Sequence, residues 1–270
     1  MVLEATSSYW VALAVTLYAA GYRVSVVNPA KVHYYAQSLP RRSKTDQLDA
    51  QLLGQFAAER RPELWTPPPG IYHELRQRLV ARDGLRAMQV QAKNQLHALR
   101  QWPVVVPAVQ EQMESVIATL EEQIRALDLA TADVLAASAW AGSALRLQSI
   151  PGVGLLTAAW ILVATVHFAT CPTPETAAGY AGLNPLDYCS GTSIRGRPTH
   201  GHGGNARLRT ALYMATLSAA QHNPVIKAFY TRLRQAGKAP KVARCAAARK
   251  LLCIAWAVVT KQQAFDPAYR

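Results

Sequence analysis

Residues 2–29 read VLEATSSYWVALAVTLYAAGYRVSVVNP and predict the first structural unit of the chain. A short apolar run ends in Glu4, and a serine-capped helix is expected from Tyr9 to about Ala20. The β-branched stretch 22–27 that follows is typical of a buried strand. The pattern therefore predicts a compact βαβ unit.

Charge is distributed unevenly along the chain. It has 29 lysines and arginines against 16 acidic residues, a formal net charge of +13. Residues 188–265, here called the acid-free segment, hold 13 lysines and arginines and no acidic residue, so the rest of the chain is balanced. Each cation that neutralises a phosphate releases a counterion, so this segment is typical of a protein that binds nucleic acid. The alternative is a solvated cationic face without a specific partner.

Length and composition limit the class of protein. The 270 residues suffice for about two domains, and 50% hydrophobic with 17% charged residues indicates a globular chain. The most apolar run, 153–166, is shorter than the roughly 20 residues that a membrane-spanning helix needs. No membrane partner is expected.

The first residues and the cysteines favour a cytosolic protein. The first residues lack the basic n-region of a signal peptide. The four cysteines show no closely spaced pairs, which favours reduced thiols and no zinc site. They are Cys171, Cys189, Cys245 and Cys253.

Further along, the pattern becomes helical. A basic loop at 40–44 precedes a helix expected at about 45–59, and PPPG at 67–70 indicates a boundary. Apolar residues then recur at helical spacing in two stripes, which predicts a long antiparallel helical hairpin. From about Leu147 onward the pattern stays mostly helical. The fold class is thus α/β plus all-α, with domains expected at 1–66, 71–140 and 146–262.

The sequence IPGVG at 150–154 joins two apolar helical segments. This arrangement is the signal of a helix-hairpin-helix motif, in which Gly152 and Gly154 would expose backbone N–H groups to a phosphate. An ordinary tight turn is an equally good interpretation of these five residues.

Three carboxylates are candidates for metal binding. Glu4 follows a strand, at the end of a sheet where α/β proteins place functional groups. Asp46 and Asp49 are three residues apart and share one helical face. Converging carboxylates would hold one or two Mg²⁺ ions. The alternative role for Asp46 and Asp49 is capping and dipole stabilisation in the first helical turn.

Ser190 is the candidate nucleophile. It lies in a glycine-containing loop at the start of the acid-free segment, where a base or metal could activate its hydroxyl toward a phosphate. Ser193 is the rival. A serine that only bonds turn amides is the default for any Ser-Gly pair.

Taken together, these motifs resemble the IS110/IS1111 insertion-sequence transposases, also called DEDD serine recombinases. The matching stretches cover nearly the whole chain in the family's order. They are 4–10, 20–24 with 27–29, 44–50, 150–154, 182–185 with 190–191, 204–205 with 208–209, and 237–252.

The resemblance implies an N-terminal RuvC-like (RNase H-like) domain, a coiled-coil hairpin and a helical C-terminal transposase domain. It implies that Glu4, Asp46 and Asp49 are the second, third and fourth of four acidic residues that bind Mg²⁺. It further implies that Ser190 attacks a DNA phosphate and forms a phosphoserine linkage. The chain would then be a DNA transposase or recombinase that catalyses Mg²⁺-dependent strand exchange.

The partners implied by the resemblance are DNA, a structured bridge RNA and further copies of the chain, in a dimer or tetramer. The resemblance also implies a bacterial cytoplasmic protein that is associated with the nucleoid when it is bound to DNA. Base pairing with the RNA would select the sequence, and the protein would contact backbones. The residues expected to contact nucleic acid are Lys44, Gly152, Gly154, Arg195, Arg197, Asn205, Arg207, Arg209, Lys238, Lys241, Arg249 and Lys250.

Two departures from the family pattern modify these expectations. The family's first aspartate precedes the motif at Glu4 and has no counterpart in this sequence, so either the start codon is misassigned or the N-terminal domain is truncated. For the chain as written, weakened metal binding, impaired catalysis and an exposed apolar sheet edge are expected. His202-Gly203 stands where the family has a basic residue. A non-catalytic nucleic-acid-binding remnant and a RuvC-like nuclease with a purely structural serine are the alternatives.

Overall fold

Helices dominate the computed structural model of the chain, and six short strands complete it. The structure describes residues 1–39, 45–186, 189–190, 194–195, 199–200 and 203–268, with backbone only for Leu186 and the residues between 189 and 200. Within that part, eleven α-helices are present. The chain divides into two compact units, Met1–Pro69 and Gly70–Arg270.

The first unit begins with the predicted βαβ arrangement. Strand β1 (Val2–Glu4) and strand β2 (Ser25–Val27) pair in parallel, and helix α1 (Tyr9–Ala19) connects them. Strand β2 is shorter than expected because Tyr22 N–H donates to Leu17 O at 3.0 Å and closes the end of α1. Helices α2 (Pro29–Gln37) and α3 (Asp46–Arg60) follow.

A small core holds this unit together. It consists of five buried side chains, Val27, Val32, Tyr35, Leu52 and Phe56. Helix α1 is apolar on all sides but buries only Ala14 fully, and Tyr9 remains 86% exposed and Leu13 51% exposed. The unit thus exposes apolar side chains of helix α1.

The predicted helical hairpin opens the second unit. Helix α4 (Gly70–Leu99) and helix α5 (Pro107–Ala136) each have 30 residues, which corresponds to a length of roughly 45 Å. They are joined by ion pairs, including Arg100 Nη2 to Glu114 Oε1 at 2.8 Å near the tip.

Six further helices form the rest of this unit. They are α6 (Ala141–Gln148), α7 (Leu155–Ala164), α8 (Pro174–Tyr180), α9 (Ala206–His222), α10 (Pro224–Gln235) and α11 (Pro240–Thr260). Between α8 and α9 lie β3 (Pro185–Leu186), β4 (Cys189–Ser190), β5 (Ile194–Arg195) and β6 (Thr199–His200).

One hydrophobic core unites the second unit. Every residue of α7 from Ala158 to Ala164 is buried. Leu75 and Leu79 of α4 and Leu135 of α5 belong to the same core cluster as the buried residues of α7, α9 and α11. The segments expected as separate domains at 71–140 and 146–262 therefore share a core, since the base of the hairpin packs on the C-terminal helices.

The turn at 149–154 connects α6 to α7, between two helices as the sequence predicted. Gly152 has a φ of +98° and approaches α9 so closely that a Cβ there would lie 2.6 Å from the Cβ of Ala219. Gly154 N-caps α7 and has no neighbour within 4 Å of the equivalent position. Gly152 is thus required by packing, whereas Gly154 faces open space.

Three thiols are described, and none is in a disulfide: Cys171, Cys245 and Cys253. Burial raises the pKa of each of these thiols, which disfavours the thiolate. Among the described residues, no helix is both long and apolar enough to cross a bilayer.

Substitution of the two turn glycines should have unequal effects on stability. We expect Gly152→Ala to lower the free energy of unfolding by at least about 2 kcal/mol, because it adds a clash and a strained φ. Gly154→Ala, the matched control, should cost less than about 1 kcal/mol. Denaturant unfolding of both variants measures this, and equal losses would contradict the packing role of Gly152.

Candidate catalytic and nucleic-acid-binding site

The predicted nucleophile lies in a β-hairpin between α8 and α9. Two antiparallel pairs are nested in it: β3 with β6, and β4 with β5. Ser190 is opposite Ile194 in the innermost described pair. Ser190 is thus the last residue of β4.

Two loops meet at the base of this hairpin. Asn205 N–H donates to Tyr180 O at 2.7 Å. Arg209 Nη1 donates to Ala181 O at 3.0 Å and to Gly203 O at 3.1 Å. The residues that precede and follow the hairpin are therefore bonded to each other and to the first turn of α9.

Asn205 has an internal role in this arrangement. Its Oδ1 accepts from Leu208 N–H at 3.0 Å and caps α9, and its Nδ2 donates to the Tyr180 hydroxyl at 3.2 Å. Burial raises the pKa of that hydroxyl. The side chain predicted to contact nucleic acid thus stabilises the start of α9.

Arg207 forms an ion pair that the sequence did not reveal. Its Nη1 is 2.8 Å from Asp83 Oδ2 on α4, and the Arg207 side chain remains 60% exposed. Asp83 lies 3.8 Å from Arg82 Nη1, and Arg82 Nε donates to Asp128 Oδ1 of α5 at 2.5 Å. A chain of alternating charges therefore connects α9 to both helices of the hairpin.

The start of α11 presents unneutralised positive charge. Lys238 and Lys241 are exposed, and the N-cap residue Ala239 offers no side-chain acceptor. Neither lysine pairs with a carboxylate among the residues that the structure describes. Because the helix N-terminus adds its own partial positive charge, this end of α11 is suited to phosphate.

The remaining predicted cations of α11 are half-buried. Lys250 Nζ lies 4.9 Å from the ring centroid of Phe229 on α10, a cation–π contact. Arg249 is also half-buried. The ammonium group of Lys250 therefore contacts α10, and both side chains are less accessible to a ligand than Lys238 and Lys241 are.

Four further basic residues of α10 and α11 were counted in the acid-free segment but were not named as nucleic-acid contacts. They are Lys227, Arg232, Arg234 and Arg244. Arg244 lies beside the hydroxyls of Tyr213 and Tyr230, and the hydrogen bond to Tyr213 is the main cause that raises its pKa.

The three predicted metal-binding carboxylates lie in the first unit. Glu4 ends β1, and its Oε1 accepts from Thr6 Oγ1 at 2.9 Å. Asp46 and Asp49 lie in the first turn of α3, where Thr45 Oγ1 caps the helix by accepting from Leu48 N–H at 3.2 Å. In the described part of the chain, no three His, Cys, Asp or Glu side chains form a group that could hold a metal ion.

Several predicted residues lie outside the described set. Lys44, Arg197, the rival Ser193 and His202 are not described. For Ser190 and Arg195 the structure describes only the backbone. Their roles stay predictions.

Comparison with known proteins identifies the family. The family model described as transposase of the IS116/IS110/IS902 family matches residues 144–231, and the DEDD transposase model of IS110 matches residues 1–101. The pilin gene-inverting protein of Moraxella bovis is 32% identical over 280 residues, which cover 98% of this chain and 81% of that protein. The chain belongs to the IS110 family of transposases.

Other relatives of this IS110-family transposase support the same family assignment. The pilin gene-inverting protein of Moraxella lacunata is likewise 32% identical, over the same shares of both chains. An uncharacterized 43.6 kDa protein of insertion element IS110 from Streptomyces coelicolor is 33% identical over 168 residues, covering 60% of this chain and 40% of that one. At this level the transposase is a DNA recombination enzyme, and DNA is its substrate.

The carboxylates of this transposase generate a prediction about metal. Because no group of three is assembled among the described residues, Mg²⁺ alone should bind weakly. We expect millimolar Mg²⁺ to stabilise the protein by less than about 0.4 kcal/mol, the value for a ligand at its Kd. Thermal unfolding with and without Mg²⁺ measures this, and a larger shift that Asp46→Asn or Asp49→Asn abolishes would instead establish metal binding.

The ion pair of Arg207 generates a prediction about salt dependence. Lys241→Ala should lower the slope of log Kd for duplex DNA against log salt by about 0.9, the value for one lost phosphate contact. Arg207→Ala should lower it by less than half as much, because Asp83 already neutralises Arg207. Titrations at several salt concentrations test this, and equal decreases would show that the ion pair opens on binding.

Proposed function

We propose that this IS110-family transposase exchanges DNA strands through a covalent intermediate on Ser190, while the acid-free segment binds nucleic-acid backbones. The proposal depends chiefly on one observation. The 13 cations of that segment begin at the hairpin of Ser190 and continue through α9, α10 and α11 without an acidic residue. The candidate nucleophile thus lies in the same charged segment as the cations that would bind a phosphodiester.

The reaction proposed for Ser190 replaces one phosphoester bond by another at each step. The hydroxyl gives up its proton to a base, and Oγ bonds to phosphorus while one bridging P–O bond breaks and the departing oxygen takes up a proton. A hydroxyl from another strand then attacks the same phosphorus and releases the serine. Cleavage and rejoining therefore need no outside energy source.

Strand exchange is favoured over simple hydrolysis by the relatives. Two of them are named pilin gene-inverting proteins. Inversion of a gene requires that cut ends be rejoined in a new order, and hydrolysis does not rejoin ends. A covalent intermediate preserves the ends for this step.

The partners proposed are DNA, a structured bridge RNA and further copies of the chain in a dimer or tetramer. These follow from the family resemblance. The distribution of cations is compatible with more than one backbone, since exposed lysines and arginines occur on α9, α10 and α11. Recognition of sequence would then come from base pairing, and the protein would supply charge.

The proposed reaction contains no step that depends on a bound Mg²⁺ ion. The described residues provide Asp46 and Asp49 on one helical turn and Glu4 at a strand end, without a group of three ligands. The donor set described therefore does not by itself fit Mg²⁺, which prefers near-octahedral oxygen coordination. The matching DEDD family name still indicates a divalent-metal-dependent type of domain.

The lack of a group of three metal-binding side chains among the described residues favours a second candidate function. A protein without an assembled group of carboxylates could retain the turn at 150–154 and the basic helices, and bind nucleic acid without cutting it. Its binding would show the same salt dependence. Only a reaction product distinguishes the two functions.

Covalent trapping decides between them. The full chain would be incubated with a duplex of the DNA that flanks its gene, RNA transcribed from that DNA, and Mg²⁺, then denatured and run on a gel. We expect a denaturation-resistant protein–DNA adduct that Ser190→Ala abolishes and the matched control Ser193→Ala retains.

The other outcomes assign other functions. Nicked DNA without an adduct, with the same yield from Ser190→Ala, would indicate a nuclease that uses water. Neither adduct nor nicks, with salt-sensitive binding intact, would support the non-catalytic protein. An adduct lost only in Ser193→Ala would transfer the role to Ser193.

A further inference from the structure

Arg209 belongs to the basic motif that sequence reasoning assigned to nucleic acid, but its guanidinium is engaged within the protein. One nitrogen, Nη1, donates to Ala181 O at 3.0 Å and to Gly203 O at 3.1 Å. These two carbonyls flank the hairpin that contains Ser190, one before it and one after it. A single side chain thus connects both ends of the segment 182–202.

The backbone at this point is closely packed. Gly182 and Gly204 have φ values of +69° and +85°, a conformation that favours glycine. A Cβ at Gly204 would lie 2.5 Å from Gly182 N and 2.8 Å from Tyr180 O. At Gly182 the equivalent position is filled by Arg209 Nη1 and Gly203 O. The contact therefore forms only between two glycines with the guanidinium beside them.

Arg209 and its neighbour Arg207 have different kinds of partner. Arg207 pairs with Asp83, whereas Arg209 pairs with no carboxylate among the described residues. Two carbonyl acceptors fix the Nη1 of Arg209 without neutralising its charge. Arg209 is also only half-exposed, which suits a side chain that bridges backbone groups.

We propose that Arg209 is a positioning residue for strand exchange: it fixes the two points at which the Ser190 hairpin leaves and rejoins the helical core. This rests on the proposed role of Ser190. Arg209 acts through the backbone and not through contact with a phosphate. Asn205 supports it, since its N–H bonds to Tyr180 O in the same place.

The substitution Arg209→Lys tests the proposal, because lysine keeps the positive charge but is shorter than arginine, so its ammonium group does not reach the position from which Nη1 donates to both carbonyls. We expect the single-turnover rate of adduct formation, at saturating flanking DNA and RNA, to fall by about tenfold or more. The Kd for the duplex and its salt slope should stay at wild-type values. Arg78→Lys, the matched control on α4 whose guanidinium pairs with Glu74 outside the acid-free segment, should retain the rate.

A direct phosphate contact gives the opposite pattern. In that case Arg209→Lys would keep the wild-type rate, and Arg209→Ala would lower the salt slope by about 0.9. Either result would overturn the proposal. A wild-type rate in Arg209→Lys alone is sufficient to do so, even if Arg209→Ala does not fold.

Hydrogen exchange separates failure of this inference from failure of the proposed function. In Arg209→Lys the amide of Asn205, which bonds to Tyr180 O, should exchange at least about tenfold faster while the amides of α7 keep their protection. If wild-type protein forms no adduct, the role of Ser190 fails. Unchanged exchange at Asn205 would refute the bridge itself.

Discussion

The burial of α7 on all sides is the constraint on which the second unit depends. Seven consecutive residues, from Ala158 to Ala164, have no exposed face. A helix of this kind must be surrounded, and α4, α5, α6 and α9 all contact it. The turn at 149–154 lies against the end of α9 through Gly152, next to Ala219, and the other end of α9 begins at the base of the hairpin. The position of the candidate site thus follows from the packing of one apolar helix.

The sequence allowed the main elements to be predicted because their signals are local. Helix α1 and its flanking strands follow from apolar runs, and the α4–α5 hairpin follows from two helical stripes. The prediction of a serine cap on α1 was wrong, because Ser8 is the N-cap residue but its side chain makes no capping hydrogen bond. The start of β2 was misplaced by three residues because the helix-closing hydrogen bond of Tyr22 extends past Gly21. A local sequence pattern does not show how many residues after a helix take part in such closing hydrogen bonds before the next strand begins.

The candidate site was predicted less completely, because its contacts join distant parts of the chain. Asp83 is 124 residues from Arg207, and no pattern in the acid-free segment indicates their ion pair. Arg209 looked like Arg207 in sequence, yet one pairs with a carboxylate and the other bridges two carbonyls. The same limit applies to Glu4, Asp46 and Asp49, since their spacing alone does not determine whether three carboxylates meet. Residue type predicted the chemistry, and only the fold showed which groups were available for it.

The helical hairpin has a mechanical consequence. It is roughly 45 Å long, and only its base shares the hydrophobic core. It is therefore a lever: a rotation of about 5° at the base displaces the tip by roughly 4 Å. The charge chain from Asp128 through Arg82 and Asp83 to Arg207 connects this lever to the first turn of α9. A movement of the hairpin that separates Asp83 from Arg207 therefore removes the described carboxylate partner of a cation in the first turn of α9, the helix that follows the Ser190 hairpin.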